Sequence, residues 1–145
     1  MTGWLVDTNV ISELRKPRPE KRVVSFVSQQ PLDVLFISIV TFAEIRFGIE
    51  RLDDAAKRAR ISAWLENEMR PLFEDRVLPL SEDILLKWRL IIEEGRKNGY
   101  TFSHPDVLIA ATAAHHGLTV VSRNTREFVA ASVSTFDPWT GEQSS

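Results

Sequence analysis

An α/β domain, with a mainly parallel central sheet covered by helices on both faces, is the fold class the sequence predicts, and three observations predict it. Short apolar or β-branched runs alternate along the chain with segments of helical period, the order that gives parallel strands joined by crossover helices. Those runs turn polar where they end, Trp4-Leu5-Val6 at Asp7 and Leu118-Thr119-Val120-Val121 at Ser122, as buried parallel strands do at their carboxyl ends. One helical segment, Val107 to Ala114, is small or apolar on nearly every side and has to be covered on several faces. The length of 145 residues suits one domain spanning 1–145, with no repeat, low-complexity stretch or internal linker.

Each element follows in order. Trp4 to Val6 reads as the first strand, Val10, Ile11 and Leu14 as a short helix broken by Pro17 and Pro19, and Val23, Val24, Phe26 and Val27 as a second helix. Val34 to Ile37 reads as the second strand. Ser38 caps a helix from Ile39 to about Ile49, and Asp53 or Asp54 opens another through Ile61, Trp64, Leu65 and Met69, which Pro71 stops or bends. Ser81 caps a one-faced amphipathic helix through Ile84, Leu85, Trp88, Ile91 and Ile92. Ser103 and Asp106 have the spacing of a capping box, with Pro105 in the first turn of the apolar helix and Gly117 at its end. Leu118 to Val121 is a buried strand, Thr125 to Val129 a short helix, and Val133 to Phe136 a last strand before a polar tail.

Composition excludes several classes. With no Cys, disulfides and thiolate metal sites are ruled out, a reducing, cytoplasmic setting is expected, and oxygen and imidazole are left as ligands. No segment approaches the 18 to 20 apolar residues of a membrane span, and no signal-peptide pattern is read at the start. The 18 Lys plus Arg against 20 Asp plus Glu give no overall attraction for a nucleic-acid backbone. Local basic clusters at Arg15 to Arg22, at Lys57, Arg58 and Arg60, and at Arg123 and Arg126 read either as a solvated surface or as local contacts for substrate.

In such a sheet the ligand crevice lies beyond the carboxyl ends of the strands, where Asp7 and Ser122 fall. Glu44 lies about two turns into the helix that Ser38 opens, and Asp106 lies in the first turn of the apolar one. Carboxylates brought together repel unless a cation sits between them, so a meeting of Asp7, Glu44 and Asp106 implies a hard metal ion. Each has a structural alternative: Asp7 and Asp106 as helix caps, Glu44 as a surface residue pairing with Arg51. Asn9 is placed to steady the turn after Asp7 or to hydrogen-bond behind a metal site. His104 reads as a surface or hydrogen-bonding group, not a ligand.

Four segments together, Leu5-Val6-Asp7-Thr8-Asn9-Val10-Ile11-Ser12, Ala43-Glu44, Pro105 to Ala113, and Val121-Ser122-Arg123-Asn124, closely resemble the motifs of PIN-domain ribonucleases, particularly VapC-type toxins of type II toxin-antitoxin modules. The ending Phe136-Asp137-Pro138-Trp139 resembles one branch of that family. The resemblance implies a three-layer α/β/α domain that cleaves RNA with Mg²⁺ or Mn²⁺. It places the metal ligands at Asp7, Glu44 and Asp106, a hydroxyl that orients the site at Ser122, and the fourth catalytic position at Asn124. Asn where the family pattern has an acid removes a charge that a second divalent ion needs, and Glu127 is the nearest acidic replacement.

The same resemblance implies a homodimer, a larger assembly with a cognate antitoxin that blocks the groove, and operator DNA reached only through that antitoxin. Two other readings compete with an endoribonuclease. A phosphatase working through an aspartyl-phosphate wants a second Asp at the place of Asn9, and a receiver domain wants a Lys where Arg123 stands. A PIN-fold protein that acts only as a binding partner or corepressor would not need three carboxylates at the ligand positions.

Overall fold

Residues 3–145 are described by a computed structural model. Its sheet has six strands: β1 (Trp4–Val6), β2 (Leu35–Ser38), β3 (Val77–Leu78), β4 (Thr119–Val121), β5 (Thr135–Phe136) and β6 (Gln143–Ser144). They are ordered β3-β2-β1-β4-β5-β6, and all neighbours pair in parallel except β5 with β6. The helices are α1 (Thr8–Leu14), α2 (Lys21–Gln29), α3 (Ile39–Glu50), α4 (Ala55–Trp64), α5 (Arg70–Phe73), α6 (Glu82–Lys97), α7 (His104–His116) and α8 (Thr125–Ala130).

The sheet is buried on both faces because its central strands are apolar at all but Ser38 and Thr119, and the alternation of side chains deals the apolar positions to two separate cores. Val6, Leu35, Ile37 and Val121 point to one side, where they meet Val10 and Ile11 of α1, Val23 of α2, Phe42 and Ile49 of α3, Ile61 of α4 and Phe73 of α5. Leu5 and Val120 point to the other, where they meet Ile109, Ala110 and Ala113 of α7 and Phe128 of α8. The result is three layers, helix on sheet on helix. In α7 the side chains of Val107, Ile109, Ala110, Ala111, Thr112 and Ala113 are all buried, between the sheet and α6. This is the covering its composition demands.

The caps hold the crossover helices at their starting angles. Ser38 Oγ accepts from Val40 N–H at 3.0 Å, Asp54 Oδ1 from Ala56 and Lys57 N–H at 3.0 and 3.2 Å, and Ser81 Oγ from Ile84 N–H at 3.2 Å. The cap of α7 differs from expectation. Ser103 makes no capping bond, because its N–H and hydroxyl both donate to Glu127 of α8, at 2.8 and 2.9 Å, and the capping box with Asp106 does not form.

At Pro71, expected to stop or bend the helix, the helix is not stopped; a five-residue π turn, Leu65–Met69, closed by Arg70 N–H to Leu65 C=O, intervenes, and α5 continues to Phe73. Proline lacks an N–H and its ring conflicts with the carbonyl four residues back, and one widened turn relieves both conflicts. Other departures are local. The chain turns away at Glu74, at φ 39°. Val34 ends a 3₁₀ turn, Leu32–Val34, so β2 starts one residue late. Val133 is buried against the α7–α8 core instead of extending β5, and the polar tail supplies β6.

Two helical glycines make opposite predictions. Gly48 in α3 is exposed, with open space where an added methyl group would stand, so Gly48→Ala stabilises by up to about 1 kcal/mol through helix propensity. A methyl group on Gly95 in α6 falls 2.5 Å from Phe102 Cε2 and 2.9 Å from its Cδ2, so Gly95→Ala destabilises by about 1–3 kcal/mol despite the same propensity gain. Urea unfolding of both variants checks the pair; a rise in midpoint for Gly95→Ala would contradict the close packing.

Candidate active site

The parallel register sets Val6 opposite Val121, so β1 and β4 deliver the next residues, Asp7 and Ser122, side by side at the carboxyl edge of the sheet. Asp7 N–H donates to Val121 C=O and Ser122 N–H to Phe136 C=O, each at 3.0 Å, which fixes both backbones. Ser122 Oγ then donates to Asp7 Oδ2 at 2.7 Å and accepts from Asn9 Nδ2 and Asn124 N–H, each at 3.0 Å. A hydroxyl has one proton and two lone pairs, so all its bonding capacity is spent here. Asn9 Oδ1 in turn accepts from Arg123 N–H at 3.2 Å, which ties the start of α1 to the β4–α8 loop.

Asp7 is 3% exposed and is both a helix cap and a cleft wall: Oδ1 accepts from Thr8 N–H at 2.8 Å while Oδ2 is held by Ser122. Burial pushes its carboxyl above the usual range, and the bonds from Ser122 and Thr8 oppose that rise. Glu44 enters from α3. Its carboxyl is also raised, by burial first and then by the charge of Asp7, and the Arg51 guanidinium stacks on Phe47. Asp106 enters from the first turn of α7, where Asn124 Nδ2 donates to Oδ2 at 3.2 Å.

Burial, a shared hydrogen bond with Glu127 and the charge of Asp7 raise the Asp106 carboxyl to about 7. Glu127 moves the other way: burial works to raise it, but the bond from Asp106 and the two from Ser103 leave it lowered. The Asp106 and Glu127 carboxyls influence each other in opposite directions, so their titration belongs to the pair and not to either residue.

Asp7, Asn9, Glu44, Asp106 and Asn124 line one open cleft of about 440 Å³ with Ser12, Glu13, Lys16, Arg123 and Trp139. Ser122 lies beneath the floor, fully buried. Glu127 is not on the cleft wall; it stands behind Asp106, where it fastens α8 to the start of α7. His104 also stays out of the cleft, its ring tilted against Trp88. Among the described residues no three acidic or histidine side chains already converge as a ligand set. The three carboxylates share a cleft without closing on a point, as expected of like charges, and the charge of Asp7 adds to burial in raising the other two.

Glu13 is the member of the wall that the sequence reading did not single out. It is buried, and its carboxylate accepts from Lys16 Nζ and Glu20 N–H, each at 2.9 Å, holding the loop that carries Arg15 and Lys16 beside the cleft. Those bonds, with Lys16 the larger influence, keep its pKa low. Its spacing from Asn9, four positions on in α1, is the signal that would have found it.

Residues 4–133 match the family described as the PIN domain. Over 135 residues the chain is 38% identical to Toxin FitB of Neisseria gonorrhoeae, a match that covers 93% of this chain and 97% of the other. It is 35% identical to VapC ribonuclease Y4jK of Sinorhizobium fredii, covering 93% and 96%. Among solved structures, FitAcB from Neisseria gonorrhoeae superposes with a TM-score of 0.88 at 38% identity, covering 94% of this chain and 98% of that one. FitAB bound to an IR36 DNA fragment gives 0.87 at 37%, covering 94% and 95%. The chain belongs to the PIN-domain family, within its branch of VapC- and FitB-type toxins.

Two predictions test the site's construction. Ser122→Ala leaves Asp7 Oδ2 and the amides of Asn9 and Asn124 without their shared partner, and costs about 1–3 kcal/mol in urea unfolding. The second concerns pH. In the folded, metal-stripped protein Asp106 keeps a proton up to about 7, whereas the unfolded chain releases it near 3.8. Its contribution to stability is therefore fully present below about pH 4 and lost as pH rises through about 7. In chelator, the melting temperature of wild type minus that of Asp106→Asn falls between about pH 4 and pH 7; a flat difference would show that the Asp106 carboxyl is not raised.

Proposed function

We propose that the protein is a divalent-metal-dependent endoribonuclease, the toxin half of a toxin-antitoxin pair. The observation that carries this reading is the meeting of Asp7, Glu44, Asp106 and Asn124, drawn from four separate elements, on one cleft at the carboxyl edge of a PIN-type sheet. The ribonuclease names borne by relatives such as Y4jK supply the substrate class.

The donor set suits Mg²⁺ or Mn²⁺: it is all oxygen, it is acidic, and the carboxyls of Asp7, Glu44 and Asp106 are raised, as in a cluster whose charge a cation would relieve. When bound, such an ion supplies the Lewis acidity that polarises the phosphate and eases ionisation of the attacking water. The rest is done by the chain. Ser122 keeps Asp7 from rotating, and Glu127 and Asn124 fix the two sides of Asp106. Asn124 spends Nδ2 on Asp106, which leaves its Oδ1 to accept a hydrogen bond from water at the phosphate. With an amide at the fourth position, and Glu13 committed to Lys16 and Glu20, the donor set would hold one ion.

An adjoining groove shares Thr8, Ser12 and Glu44 with the cleft and runs on over Ile45, Ile49 and Ile61, with Arg15 and Lys57 at its margin. An apolar floor with a basic margin, continuous with the active cleft, suits an inhibitory antitoxin segment. FitAB and VapBC assemblies bound to DNA are known among the similar structures, and we assign this chain the same partnership, as a homodimer that meets operator DNA through the antitoxin. Among the described residues no helix is long and apolar enough to cross a membrane.

Purified, antitoxin-free protein with Mn²⁺ is expected to cut cellular RNA, and Asp7→Asn to lose at least about a hundredfold in rate with its circular dichroism unchanged. Residues that merely orient ligands already cost about 10- to 100-fold, so a ligand costs more. Intact RNA in the wild-type reaction would sink the enzyme reading. Millimolar Mn²⁺ is also expected to raise the melting temperature of wild type, by about 1.4 kcal/mol of added stability at about ten times the dissociation constant, and to do so far less in Glu44→Gln. Equal shifts would remove Glu44 from the ligand set.

A further inference from the structure

The cleft holds one feature that metal binding does not use. Arg123 projects from the loop between β4 and α8, is exposed, and has its guanidinium carbon 5.2 Å from the centre of the Trp139 ring. Among the described residues its guanidinium makes no hydrogen bond and no ion pair, although Asp7, Glu13 and Asp106 line the same cleft. Both partners are anchored through their backbones. Arg123 N–H is held by Asn9 Oδ1 at 3.2 Å; Trp139 N–H donates to Asp137 Oδ1 at 2.8 Å, and its C=O accepts from Arg22 Nη1 at 2.7 Å. Trp139 is half-buried against the core and lies beyond the residues that match the family.

A planar cation held against an indole, with its N–H donors unspent, is preorganised to receive an anion along its edge. In a cleft that carries four carboxylates, a guanidinium placed for charge balance alone would be drawn into an ion pair, as Lys16 is with Glu13, and this one is not. The anion that a nucleic-acid cleft receives repeatedly is the phosphodiester. We propose that Arg123 binds a phosphate of the RNA strand adjacent to the one cleaved, and that Trp139 is the positioning residue that holds the guanidinium flat for a two-pronged contact. The inference rests on the ribonuclease reading for its substrate, and it assigns that substrate a backbone contact that no acidic residue in the cleft can make.

Charge and plane are separable by substitution. Binding of a labelled single-stranded oligoribonucleotide of mixed sequence is measured by anisotropy in chelator across a salt series, where no cleavage occurs. Arg123→Ala is expected to weaken binding about tenfold or more and to make the dependence of log affinity on log salt shallower by about 0.7, the loss of one phosphate contact to a single strand. Arg123→Lys keeps the wild-type slope but not the affinity, since it retains the charge and loses the fork. Trp139→Leu, which fills the space without a ring, is expected to match Arg123→Lys, and Trp139→Phe to stay near wild type.

Unchanged affinity and slope in Arg123→Ala would overturn the phosphate contact. Wild-type affinity in Arg123→Lys would overturn the role of the plane, and with it that of Trp139, even if Trp139→Leu did not fold. A loss confined to binding of the co-expressed antitoxin, with RNA binding intact, would also overturn the proposal by making the anion a protein carboxylate. Failure of the ribonuclease reading looks different: wild type would leave RNA uncut in Mn²⁺ whatever stands at position 123.

Discussion

The hydrogen bond from the Ser122 hydroxyl to Asp7 is the contact on which the rest of the cleft depends. It exists because two buried strands end in register, so that the first polar residue after each is brought beside the other. A carboxylate 3% exposed would be costly without partners, and both oxygens of Asp7 have one, from Thr8 on its own helix and from Ser122 across the sheet. The same hydroxyl receives Asn9 and Asn124, so the first turn of α1 and the loop before α8 are positioned by the group that positions Asp7. One oxygen atom sets the relation between the two ends of the chain's fold, the first strand and helix on one side and the fourth strand and its loop on the other.

Around that point the protein gathers charges that would rather be apart. Burial and then the charge of Asp7 raise Glu44, and burial, Glu127 and Asp7 together raise Asp106. Such a cluster is tolerated because it sits on the edge of a sheet whose two faces are closed by separate apolar cores. Helix α7 shows the division of labour within one element: its first turn carries Asp106 into the cleft, and the stretch from Ile109 to Ala113 after it is buried. The stability supplied by the buried length holds the charge-crowded end in place, a common relation between active sites and their scaffolds.

Much of this is legible in the sequence. Strands β1, β2 and β4 are readable because strands buried on both faces are continuous apolar runs, and α7 because nothing exposed is made of such residues. Asp7, Glu44, Asp106 and Asn124 can be picked out by motif and by their places at strand and helix ends, and all four line one cleft. Strands β3 and β6 are not legible, for two residues have no periodicity, and they are strands only because a neighbour offers them backbone partners. The capping box at Ser103 fails for a related reason: a local pattern predicts a local bond, and a carboxylate 24 positions later in the chain takes both of its donors. Glu127 stands one layer behind the cleft, and no pattern in the sequence separates that place from one on the wall.

The two ends of the sheet carry a consequence for assembly. One edge is β3 and the other β6, each two residues long, and the outer β6 runs antiparallel to its neighbour and is exposed. An edge this short offers too few free amides and carbonyls to template another chain, so the molecule cannot readily grow by adding strands to its sheet. Contact with another protein is thereby diverted to helical surfaces, where Phe47 of α3 and Leu86 and Leu90 of α6 stand more than half exposed. Helix faces are read by side-chain shape rather than by the backbone pattern that every protein shares, so the truncated edges turn indiscriminate stickiness into a choice of companion.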